Sequence, residues 1–81
     1  MSVEQKVRTY ILQNFLFTDD QSSLNSADSL LGKGIIDSTG ALELVAFLEE
    51  NFGIKVADNE MVPENLDSVN NVVAFVAKKK T

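Results

Sequence analysis

The sequence predicts an all-α fold: a four-helix bundle with three main helices, one short third helix, and a long loop between helices one and two. Three observations predict it. Apolar residues recur at helical spacing in three separate segments. Capping residues stand directly before those segments. Only one Pro and four Gly occur among 81 residues, and 44% of the chain is apolar, which suits a folded chain.

Residues 2–16 read as the first helix. Ser2 caps it, and Gln5 three residues on completes a capping box. Val3, Val7, Tyr10 or Ile11, and Phe15 form the apolar stripe, which Asn14 interrupts near its end. Residues 18–37 make a connection of unusual length for a compact domain. Leu24, Leu30, Leu31, Ile35 and Ile36 are expected to pin it to the core, with one helical turn at residues 29–32. Its acids do not form a calcium loop, because the alternating ligands, central Gly and terminal Glu are missing.

Residues 38–52 read as the second helix, with Asp37 as N-cap and Gly53 as the residue that ends it. Leu44, Val45, Leu48 and Phe52 form its core stripe. Leu42 and Ala46 fall on a neighbouring face beside Thr39, Glu43, Glu49 and Glu50. Gly40 in the first turn costs about 1 kcal/mol of helix propensity against Ala, so it needs a reason beyond propensity. Residues 57–62 read as the short third helix, capped by Asp58 and stopped before Pro63. Residues 68–79 read as the last helix, with Asp67 or Ser68 as its cap. Val69, Val72, Val73 and Val76 mark its buried face. The Val-rich run at 72–77 also fits a strand, but the cap and the following Lys78, Lys79 and Lys80 favour a helix end.

Composition narrows the function. The chain contains no His and no Cys, which excludes disulfides, zinc fingers and His-based nucleophile pairs. A net charge of −5 disfavours nucleic acid. No apolar run approaches the length of a membrane span, and no signal-peptide pattern opens the chain. The expectation is one cytoplasmic domain, residues 1–81, that is not an enzyme, works as a monomer, and binds neither nucleic acid nor membrane.

The informative segment is Gly34-Ile35-Ile36-Asp37-Ser38. A capping Asp is followed by a Ser at the first helical position, where free N–H groups and the helix dipole favour an anion. A phosphate esterified to Ser38 suits that place. So does the plainer reading, in which both residues simply cap a helix.

Residues 28–52 resemble the core of the acyl carrier proteins, and the likeness extends over nearly the whole chain. It rests on Asp37-Ser38 followed by Leu44-Val45, Leu48-Glu49-Glu50 and Phe52, and on Leu66, Ser68 and Val69 at the entry to the last helix. The resemblance implies that Ser38 carries 4′-phosphopantetheine, donated from coenzyme A by a phosphopantetheinyl transferase. Asp37 would position it. The arm's thiol would hold an acyl or aminoacyl cargo as a thioester, loaded by a ligase and passed to downstream transferases. Partner recognition in such carriers runs along the second helix, here Thr39, Leu42, Glu43, Ala46, Glu49 and Glu50. Residues 34–77 hold eight acids against one base, Lys55, a net of −7 that would steer basic partners.

Two features separate this chain from the fatty-acid-synthesis pattern. Thr39, followed by Gly40, stands where those carriers usually place Leu or Met after the Ser. Gly34 to Ser38 and Val62-Pro63-Glu64-Asn65-Leu66 look more like the stand-alone and D-alanyl carriers. Leu48, Phe52, Met61, Val62 and Val69 either line an acyl cleft or pack the core. The rival function is a small acidic adaptor that binds a partner protein without a prosthetic group.

Overall fold

The computed structural model describes residues 2–80. Four α-helices follow in order: α1 (Val3–Ile11), α2 (Ser38–Phe52), α3 (Pro63–Leu66) and α4 (Val69–Lys80). There are no strands among the described residues. The run at 72–77 is therefore helical, as its cap and Lys-rich end indicate.

The core is assembled from every part of the described chain. Val7, Ile11 and Leu12 meet Leu44, Val45 and Leu48 of α2 and Val69, Val72, Phe75 and Val76 of α4. Leu24, Leu30 and Ile36 dip into the same cluster from the long connection, and Ile54, Val56 and Leu66 close it. Full burial of each such side chain is worth about 1.5–3 kcal/mol before entropy is counted. Leu31 departs from the expectation: it is 40% exposed, because its N–H donates to the Asp67 carboxylate while its side chain turns outward.

Two boundaries differ from the sequence reading. The first helix is α-helical only to Ile11 and continues as a wider π-type turn over Leu12–Leu16. The Asn14 amide donates to the Tyr10 carbonyl at 2.9 Å, competing with the regular ladder. Phe17 then ends the segment with a left-handed backbone, φ 55°. The capping box is half made: Ser2 Oγ accepts from Gln5 N at 3.1 Å, while the Gln5 side chain reaches forward to Thr9.

The short helix is displaced. Asp58–Glu60 form only a 3-10 turn, in which the Glu60 carboxylate accepts from Ala57 N. The helix itself runs over Pro63–Leu66 with Pro63 at its first position. Proline stops a preceding helix but is preorganised to start one, because its missing N–H needs no partner there. The turn expected at residues 29–32 does form, as a single helical turn that is not continued. It is a tight turn in which Lys33 N donates to Ser29 O and Gly34 N to Leu31 O.

The caps that position α2 form as expected. Asp37 Oδ1 accepts from Gly40 N at 2.8 Å. Gly53 takes φ 66° and donates to Glu49 O, and Ile54 is buried behind it. Ser68 is the side chain that caps α4, accepting from Asn71 N at 3.1 Å. Asp67 turns the other way, into the long connection.

Candidate functional site

The start of α2 is held by a relay of hydrogen bonds. Asp67 accepts from Ser29 Oγ at 2.9 Å and from Leu31 N at 3.0 Å, and its carbonyl accepts from Leu30 N. Leu30 O then accepts from both Ile35 N and Ile36 N, at 2.9 and 3.1 Å. Gly34 at φ 71° permits the reversal between them. Ile36 is thereby buried, and the next two residues, Asp37 and Ser38, emerge at the surface.

Ser38 is exposed, and among the described residues its hydroxyl has no hydrogen-bond partner. The Asp37 carboxylate beside it is engaged with Gly40 N. Of the first-turn N–H groups, those of Ser38 and Thr39 remain available to an anion. Ser38 also sits on an apolar groove of about 250 Å³, walled by Leu31, Ile36, Ala41, Leu42, Met61, Val62, Pro63 and Leu66. Leu31 and Leu42 form its exposed rim, at 40% and 59% exposure. Of the five residues that sequence offers for an acyl cleft, two belong to this groove. Met61 and Val62 line it, but Leu48 and Val69 are wholly buried in the core and Phe52 packs against that core.

The other recognition candidates lie along one exposed arc of α2. Thr39, Leu42, Glu43, Ala46, Glu49 and Glu50 are all exposed. They are not equivalent. Glu49 Oε2 accepts from Val56 N at 2.9 Å and so ties the segment after α2 to its last turns. Glu43 and Glu50 have no ion-pair partner among the described residues. Two lysines of the Lys-rich end are engaged within the chain. Lys79 pairs with Glu60 at 2.8 Å, and Lys80 donates to Phe52 O at the end of α2.

Sequence reasoning missed Arg8 and gave Asp67 only a cap's role. Arg8 donates to Gln21 Oε1, Gln21 O, Leu24 O and Ser26 Oγ, fastening the long connection to α1. No motif marks either residue, because their partners are distant in sequence.

No family model matches the chain. Individual relatives do. It is 39% identical over 78 residues to the D-alanyl carrier protein of Streptococcus uberis, covering 94% of this chain and 92% of the relative. It is 38% identical over 78 residues to the acyl carrier protein of Akkermansia muciniphila, covering 95% and 91%. The D-alanyl carrier protein of Streptococcus suis is 32% identical over 78 residues, covering 96% and 95%. The chain belongs to the acyl carrier protein family. Within this carrier, Leu42 belongs both to the exposed arc of α2 and to the groove beside Ser38. No helix among its described residues is long and apolar enough to cross a membrane.

Proposed function

We propose that Ser38 is the attachment point for 4′-phosphopantetheine, and that the chain shuttles an acyl or aminoacyl group on it between enzymes. The observation that carries this reading is the placement of Ser38. It is an exposed, unpartnered hydroxyl at the first position of a capped helix, on the rim of an apolar groove. Membership of the carrier family supports it.

The chemistry divides cleanly between the chain and its partners. Ser38 Oγ supplies the oxygen of the new phosphodiester and displaces the adenosine bisphosphate half of coenzyme A. The Ser38 proton goes to a base on the transferase, since this chain has no His to receive it. Asp37 keeps the helix start in register by holding Gly40 N, and the remaining first-turn N–H groups, of Ser38 and Thr39, favour the phosphate. The groove residues Leu42, Met61 and Val62 offer apolar surface to the arm. When bound, the group supplies a thiol that holds the cargo as a thioester. Thr39, Leu42, Glu43, Ala46, Glu49 and Glu50 present the arc that basic faces of the transferase and loading ligase would meet.

The test uses the absence of Cys. Before modification the chain has no thiol of its own. Incubation with coenzyme A and a broad-specificity phosphopantetheinyl transferase, then removal of free coenzyme A, should leave one titratable thiol per chain. A titre of zero would favour the adaptor reading instead.

A further inference from the structure

The groove beside Ser38 has walls from two distant parts of the chain. Leu31 and Ile36 stand on one side, and Met61, Val62, Pro63 and Leu66 on the other. Among the described residues, the hydrogen bonds that join the 29–36 segment to the 61–67 segment all end on Asp67, which directly follows α3. Asp67 N donates back to Pro63 O at 3.0 Å, so the residue is fixed to α3. Its Oδ1 accepts from Ser29 Oγ at 2.9 Å and from Leu31 N at 3.0 Å. The facing segment is shaped around this acceptor. Gly32 N donates to Ser29 Oγ at 2.8 Å, which leaves the Ser29 proton for Asp67. A Cβ on Gly32 would stand 2.7 Å from that hydroxyl, so the bare glycine keeps its room. The helix α3 has only four residues, too few to hold its own shape in water. Its place is set by what it is tied to.

We propose that Asp67 is a positioning residue that sets the separation of the groove's two walls and passes that setting on to Ser38. The passage runs through Leu30. Its N–H donates to Asp67 O, and its carbonyl accepts from Ile35 N and Ile36 N, just before the start of α2. An acyl chain lying in the groove therefore presses on the same hydrogen bonds that fix the helix start. The proposal rests on the carrier reading for the cargo and its attachment, and on the Asp67 bonds alone for the link between groove and helix. Hydrogen bonding, not charge, is the agent. Oδ1 alone meets both donors, so the carbonyl oxygen of an Asn can serve in its place.

Amide hydrogen exchange on the unmodified chain reads the tie without involving Ser38. Asp67→Ala should quicken exchange at Leu31, Ile35 and Ile36 about tenfold relative to the core amides of Leu48 and Val76. Asp67→Asn should stay within about threefold of the parent. The link to cargo is read by loading the chain from octanoyl-coenzyme A, and separately from acetyl-coenzyme A, with a broad-specificity transferase. The octanoyl arm should move the Ile35 and Ile36 amide resonances in the parent and in Asp67→Asn beyond where the acetyl arm leaves them. In Asp67→Ala that difference should vanish. Unchanged exchange at Ile35 and Ile36 in Asp67→Ala would overturn the proposal, as would equal damage from Asn and Ala. An octanoyl shift that persists in Asp67→Ala would overturn it too. A parent chain that accepts no arm would sink the carrier reading, while the exchange rates still decide whether Asp67 governs the helix start.

Discussion

The Phe15 ring packs directly against the bare Cα of Gly40. A Cβ on Gly40 would come within 2.8 Å of Phe15 Cε1 and 3.5 Å of Ile36 Cγ2. This is the reason for a Gly in the first turn of α2: the helix start is pressed onto the end of the first helical segment. Gly40→Ala should therefore fail to deliver the gain of about 1 kcal/mol that helix propensity offers. With Phe15→Leu in the background, the same substitution should stabilise. Urea denaturation of the four chains gives the coupling, expected at about 1 kcal/mol. Full stabilisation by Gly40→Ala alone would contradict the packing account.

Arg8 should be worth far more than a surface cation. Its guanidinium serves the Gln21 and Leu24 carbonyls at 2.7 and 2.6 Å. Arg8→Ala leaves those acceptors without their charged donor and should cost about 2–3 kcal/mol in chemical denaturation. Arg8→Lys should recover only part, because an ammonium cannot span the fork. Hydrogen exchange at residues 24–26 should quicken in both variants. A loss below about 0.5 kcal/mol in Arg8→Ala would mean that Leu24 and Leu30 alone hold the connection.

Glu60 predicts a pH response. Hydrogen bonds from Lys79 and then from Ala57 N hold its carboxyl below the ordinary carboxylate range. A lowered folded pKa contributes stability above the unfolded pKa, and that contribution fades as pH falls through the folded value. Lys79→Ala should raise the Glu60 titration toward its ordinary range, read by carboxyl NMR. The variant should also show a smaller loss of stability on acidification. An unmoved Glu60 titration would show that the ion pair does not persist in solution.

Asp37 acts through the helix start. Asp37→Ala removes the acceptor of Gly40 N and should cost about 1 kcal/mol, whereas Asp37→Asn keeps an acceptor and should cost less. Both should slow modification of Ser38, Asp37→Ala more. Unaltered stability in Asp37→Ala would remove the cap from the account.

The helix α2 was legible because its signals are local. Asp37 and Gly53 each act within four residues, and Leu44, Val45 and Leu48 follow a single period. The end of the first helix was not legible, since no Pro or Gly marks it and the change of pitch follows a side-chain bond from Asn14 to Tyr10. Pro63 reads two ways in sequence, because the same ring that ends one helix begins another. The anchors of the long connection were hidden by distance. Arg8 reaches Leu24 across 16 positions, and Ser29 reaches Asp67 across 38. At the site, the Asp37-Ser38 pair could be read from spacing, but the groove could not. It needs Leu31 and Leu42 turned outward opposite Met61 and Pro63, which only the folded chain decides.

Everything proposed for this carrier depends on Ser38 bearing the arm. The most direct measurement is intact-mass analysis of the purified chain and of Ser38→Ala after incubation with coenzyme A and a broad-specificity transferase. One 4′-phosphopantetheine should be added to the parent chain and none to Ser38→Ala. No addition to the parent chain, or addition that persists in Ser38→Ala, would contradict it.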